Sequence, residues 1–153
     1  MSIKSHNTFK IKTIQLKKFD FEQTGKLVAD KKKEINLEQK IGAIAKQETT
    51  NIYIIQLNAN IFFKQNEQDL FFIKAIIIGA IEVGKDFEEK SLNNMVAIMF
   101  SYLRPMVAQM TAMAKLPPLD LPPVSFEEFE VKVERREPKT KSANKKWLAF
   151  KNI

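Results

Sequence analysis

From Tyr53 to Phe63 the odd positions Tyr53, Ile55, Leu57, Ala59, Ile61 and Phe63 are apolar, while Gln56, Asn58 and Asn60 occupy even ones. This period of two predicts a strand with one buried face. Near the start, Phe9 and Ile11 alternate with Lys10 and Lys12, the phase slips to Ile14 and Leu16, and Phe19 and Phe21 restore odd numbering. One long strand with an irregularity near Thr13 accounts for this, because a bulge inserts one residue. Ile35, Leu37 and the stretch Ile41 to Ile44 begin a second strand, blurred by Glu38, Gln39 and Lys40. Gln65 to Asp69 has the polarity of a hairpin loop, so Leu70 to Val83 is expected to return antiparallel to the third strand. That fourth strand is apolar on its odd side (Ile73, Ala75, Ile77) and on its even side (Phe72, Ile76, Ile78). Both faces then need a cover, and a second subunit is the expected source of one.

After Gly84 the period changes. Leu92, Met95, Val96, Met99, Phe100 and Leu103 recur at three and four, the stripe of an amphipathic helix that Ser91 could cap. Pro105 predicts a break or kink near Ser101 to Arg104 and a second helix from Met106 to about Ala114. Five of the six methionines lie between Met95 and Met113. Flexible core filling is the ordinary reading of such a run, although adaptable binding surfaces use the same side chain. Leu116 to Phe126 holds four of the six prolines and reads as a stiff extended connector. Ser125 is placed to cap a last helix from Phe126, with Glu127 and Glu128 in its first turn. Gln23 to Lys33 is a loop whose only large aliphatic residues are Leu27 and Val28. The fold class expected is α+β: a four-stranded antiparallel sheet with helices packed on one face.

Composition narrows the chemistry. The 153 residues lack cysteine and hold one histidine, His6, so thiolate metal sites, thiol catalysis and Ser-His-Asp chemistry have little to work with. The four glycines are scattered and form no phosphate-cradling loop. No polar constellation suggests an enzyme, and no cofactor or metal is implied. There is no apolar leader and no run long enough to span a bilayer, so a cytoplasmic protein is expected. The formal charge of +7 is uneven: Val131 to Ile153 carries eight Lys or Arg against two Glu, a net +6 that leaves +1 for everything before it. An acidic partner such as nucleic acid would therefore concern the appendage alone, and a solvated segment is its ordinary reading. The expected organisation is one domain, 1–137, followed by a basic mobile tail, 138–153.

The order of four strands, helix, proline-rich linker and short helix, with MFSYLRPMVAQMTAMAKLPPLDLPPVSFEEF (Met99 to Phe129), resembles the SecB family of protein-export chaperones. The likeness extends to TFKIKTIQLKKFDFE (Thr8 to Glu22) as first strand. The resemblance implies an ATP-independent holdase, a homotetramer built as a dimer of dimers, that keeps unfolded preproteins export-competent in hydrophobic grooves. It assigns groove walls to Leu27, Val28, Ile35, Leu37, Leu119, Leu121, Val124, Phe126 and Phe129, with Met106 and Met110 contributed by the helix, and subunit contacts to Ile73, Ala75 and Ile77. The SecA translocase motor is a further implied partner, but two departures count against it. The body is near neutral where export members are acidic, and of an acidic pair near the end of strand one only Glu22 remains, with Lys18 at the other position. The alternative within the family is a solitary chaperone of a toxin-antitoxin system that guards an aggregation-prone antitoxin.

Overall fold

A computed structural model describes residues 9–24, 36–65, 68–116, 121–122 and 124–135. Alternating and β-branched stretches form four long strands, β1 (Phe9–Gln23), β2 (Asn36–Thr49), β3 (Ile52–Gln65) and β4 (Gln68–Val83). A 3-10 turn over Glu89–Ser91 leads into one helix, α1 (Leu92–Met113), and a short strand, β5 (Lys132–Arg135), ends the described chain. The sheet order is β1-β4-β3-β2-β5, with β2, β3, β4 and β1 antiparallel in turn and β5 parallel to β2.

The period-two reading of β3 holds at every odd position, although Gln56 on the other face is also buried, 6% exposed. Tyr53, Ile55, Leu57, Ala59, Ile61 and Phe63 are all buried, facing Ile81, Gly79, Ile77, Ala75, Ile73 and Phe71 of β4. The helix stripe closes over them: Leu92, Met95, Val96, Met99, Leu103 and Val107 are wholly buried as α1 packs on β3 and β4. Gly79 makes this approach possible, since a Cβ there would come within 2.7 Å of Met95 Cε and 3.1 Å of Met99 Sδ. At the hairpin end Phe63 and Phe71 stack at 4.2 Å, with Phe21 5.3 Å from Phe71.

β1 contains the irregularity expected near Thr13 and a second one. Its register with β4 shifts between Ile11 and Thr13 and again between Leu16 and Lys18, leaving Lys12 and Lys17 as the extra residues. Phe9, Ile14, Phe19 and Phe21 consequently pack on the same core. Ile11 and Leu16 lie opposite Ile81 and Ile77 but remain exposed, because α1 covers the inner strands and not this edge.

Four expectations are corrected. The helix runs unbroken through Pro105. Proline removes one N–H, yet Ser101 and Pro105 are both exposed, so the carbonyl that loses its donor lies on the water side of the helix. Ser91 stands at the N-cap position but makes no side-chain capping bond, since the 3-10 turn delivers the chain in helical geometry already. Among the described residues no helix follows Ser125: Phe129 N–H closes a turn on the Phe126 carbonyl, and the chain continues into β5. Finally, Ile73, Ala75 and Ile77 belong to the chain's own core, each no more than 1% exposed, so they offer a second subunit no surface. The opposite side of β4 carries Phe72 and Ile78, both half-buried, and Ile76, which is buried among its neighbours at 8% exposure.

Lys115 ends α1 at φ 65°, the left-handed conformation. Its N–H bonds the Ala112 carbonyl and that of Leu116 bonds Thr111, the paired closure in which glycine is the usual occupant.

Candidate functional site

The edge of β2 and the segment after the proline linker form the most distinctive border of the sheet. β2 pairs with β3 along its whole length, but its outer side meets β5 only from Ile44 to Gln47. Among the described residues, Asn36 to Ala43 therefore present main-chain groups on a free edge, and such groups are strong hydrogen-bonding sites. On the core-facing side of this edge stand Leu37 and Ile41, half-buried and packed against the core. Val124, Phe129, Val131 and Val133, also half-buried, border the same core.

The candidate residues divide by burial. Leu121 is 0% exposed and Phe126 6%, so both are core. Arg104 Nε donates to the Leu121 carbonyl at 3.0 Å, which pins the linker to α1. Phe126 packs between Phe100 and Phe129 with ring centroids 5.5 and 5.2 Å away. Leu37, Met106, Met110, Val124 and Phe129 keep part of their surface. Leu27, Val28, Ile35 and Leu119 lie outside the described residues, as does the segment 138–153.

Sequence reasoning missed β5 and the cluster that holds it. Arg135 grips Glu89 with two hydrogen bonds, Nη1 to Oε2 and Nη2 to Oε1, each 2.7 Å. Tyr53 Oη donates to the same carboxylate at 2.9 Å. The Arg135 hydrogen bonds hold the Glu89 carboxyl below its ordinary range against the opposing effect of burial, and Tyr53 adds to the lowering. Burial, followed by the bond to Glu89, pushes the Tyr53 phenol up to about 12. Lys46 meets Glu134 at 3.5 Å across the β2–β5 pair. A signal for β5 was present: Val131, Lys132, Val133 and Glu134 alternate apolar and polar. Beside it an open cleft of about 590 Å3 is lined by residues including Glu89, Asn93, Phe129, Lys132 and Val133.

Among the described residues no group of three His, Asp or Glu is placed to hold a metal, and no helix is long and apolar enough to cross a membrane. The site is a strand edge bordered by apolar side chains, the kind of surface that takes up polypeptide. The family model for preprotein translocase subunit SecB matches residues 3–136, and the chain belongs to the SecB family. It is a SecB-family chaperone, in a family whose members are not enzymes. Among solved structures it is similar to the SecB-like chaperone Rv1957 of Mycobacterium tuberculosis in complex with a ChAD peptide from the Rv1956 HigA1 antitoxin. The TM-score is 0.64 at 15% identity over 76% of this chain and 91% of that one, a likeness of fold. A protein of unknown function from Streptococcus agalactiae aligns over 75% of this chain and 97% of that one, at 12% identity and a TM-score of 0.45. No curated protein matches the sequence.

Proposed function

We propose that this chain is an ATP-independent holdase that binds unfolded, extended polypeptides along the outer edge of β2. The observation that carries the reading is the free edge from Asn36 to Ala43, with the half-buried Leu37 and Ile41 standing along it. An extended client completes main-chain hydrogen bonds there regardless of its sequence, and its apolar side chains gain about 25 cal/mol for each Å2 they remove from water. Low specificity follows, as a holdase requires. Clients are preproteins awaiting export in this reading.

The working unit is a homotetramer, a dimer of dimers. The large hydrophobic residues left exposed in the described chain fall in two places, Ile11 and Leu16 on β1 and Tyr102 and Met113 on α1. Two separate patches suit an assembly that needs two kinds of contact. These patches replace Ile73, Ala75 and Ile77 as the proposed subunit contacts.

One observation favours the second reading, an antitoxin client. Lys18 bridges Asp20 at 3.4 Å near the end of β1, so the acidic character that docking to SecA would use is partly neutralised there. The test is suppression of aggregation of a chemically unfolded model protein, without ATP, at one tetramer per client. Parallel assays measure translocation of a preprotein and solubility of a co-expressed antitoxin. Protection of the model protein and preprotein supports export; protection of the antitoxin alone supports the second reading; no protection overturns both.

A further inference from the structure

The outer edge of β2 has two stretches. Asn36 to Ala43 is open, whereas Ile44 to Gln47 is covered by β5 in the register Ile44–Lys132, Ala45–Val133, Lys46–Glu134 and Gln47–Arg135. A strand of four residues is short, and this one is only partly buried. Of its side chains Val133 packs on the core, while Glu134 and Arg135 hold it through charge, to Lys46 and to Glu89. The Arg135 side chain is 57% exposed, so salt and water reach the clip. The cleft lined by Phe129, Val131, Lys132 and Val133 leaves room next to the segment that leads into β5.

We infer that β5 is a displaceable occupant of the client edge. At rest it covers Ile44 to Gln47; an extended client strand takes its place, and the bound edge grows from Asn36–Ala43 to Asn36–Gln47. This rests on the reading that clients bind β2. The Arg135–Glu89–Tyr53 clip sets how readily the strand yields, and the chain thereby competes with its own clients. Such a gate favours long extended segments, which gain enough along the open stretch to displace β5, over short ones that fit the open stretch alone.

Two variants bracket the gate. Lys46→Cys with Glu134→Cys places neighbouring thiols in a chain that otherwise has no cysteine, and oxidation ties β5 to β2. Glu89→Gln removes the charge that Arg135 grips. The probe is a fluorescently labelled, carboxymethylated unfolded model protein followed by anisotropy, with hydrogen exchange read at Ile44–Gln47 and Lys132–Arg135. The oxidised pair is expected to bind about fivefold more weakly than its own reduced form, and Glu89→Gln about fivefold more tightly than wild type, the scale of one charge-assisted pair. Saturating client is expected to deprotect the Lys132–Arg135 amides while Ile44–Gln47 stay protected. Equal affinity of oxidised and reduced protein, with β5 still protected under saturating client, overturns the gate and leaves the holdase reading standing. Absence of binding by the wild type overturns both.

Discussion

The two edges of the sheet meet the same hazard by opposite means. β1 is a full-length edge strand whose pairing is broken twice, with lysines 10, 12, 17 and 18 along it and two apolar side chains, Ile11 and Leu16, exposed. Bulges and lysines discourage a neighbouring strand from docking, so what β1 offers a partner is side chains. β2 has one irregularity, close to its end at Gln47 to Thr49, and an unbroken ladder from Asn36 to Gln47. What it offers is main chain, open from Asn36 to Ala43 and covered by β5 from Ile44 to Gln47. Side-chain contacts select one shape and suit a fixed assembly, whereas main-chain contacts accept any sequence and suit transient clients.

The strongest way to break this comparison is to remove the spine that both edges share. Ile77→Lys puts a charge into a fully buried position and is expected to cost about 4 kcal/mol or more, abolishing cooperative thermal unfolding by circular dichroism. Ile78→Lys, one residue along on the opposite face, is expected to cost about 1 kcal/mol. If instead Ile77→Lys folds and merely dissociates an assembly in light scattering, the core assignment is wrong.

Next in size is a contrast within the linker. Leu121→Ser is expected to destabilise by about 3 kcal/mol, because it empties a closed site and buries a hydroxyl. Phe129→Ser is expected to lose about 1 kcal/mol of stability and yet weaken client binding about tenfold, the equivalent of roughly 55 Å2 of lost apolar contact. Loss of binding in proportion to stability for both variants would remove Phe129 from the client edge.

Sharpening the β2 side is a matter of pH. The folded-state value of Glu89 lies below its ordinary 4.5, so its stabilisation is complete above that pH and is lost as the pH falls through the lower folded value. The Tyr53 phenol is raised from 10.0 to about 12, so its contribution is complete below pH 10 and is lost as the pH rises through about 12. Hydrogen-exchange protection of β5, corrected for intrinsic rates, is expected to be flat from about pH 5 to 9 and to fall below about 4.5, while β1 stays unchanged. A simultaneous fall at both edges would mean global acid unfolding and no separate clip.

The smallest effect touches neither edge. Lys115→Gly relieves a left-handed residue at the end of α1 and is expected to raise stability by about 1 kcal/mol, seen as a higher Tm with client affinity unchanged.

What could be read from sequence follows the range of the forces involved. Alternation in β3, the helical stripe of α1 and the slip near Thr13 are local patterns, and each is found in place. The hairpin between β3 and β4 was equally legible, closing with Gln65 opposite Gln68. Two apolar faces on β4 were visible too, but which of them α1 covers depends on close packing at Gly79, a contact between residues that no local pattern connects. Pro105 misled because its effect depends on whether the orphaned carbonyl faces water. The segment after Ser125 carried two competing signals, acids after a capping serine and the alternation from Val131 to Glu134. Long-range pairing with β2 decided for the strand. Among the residues proposed for client contact the sequence showed apolar character, but not that Leu121 and Phe126 are buried in the core while Val124 and Phe129 keep part of their surface.

The two bulges of β1 also determine where the chain could be shortened. A strand counts by twos, so deleting one residue ordinarily turns every side chain beyond it to the other face. Lys12 and Lys17 are outside that count, because neither has a register partner in β4, Lys12 reaching that strand only through its side chain, to Glu82 at 3.8 Å. Excision of either leaves Phe9, Ile14, Phe19 and Phe21 facing the core as before, whereas excision of Lys10 or Gln15 reverses the frame of the strand to one side of the cut. A genetic screen of single-residue deletions should therefore tolerate, along β1, only the loss of Lys12 and the loss of one lysine from the Lys17–Lys18 pair, whose two deletions give one sequence, at the cost of a flatter and stickier edge.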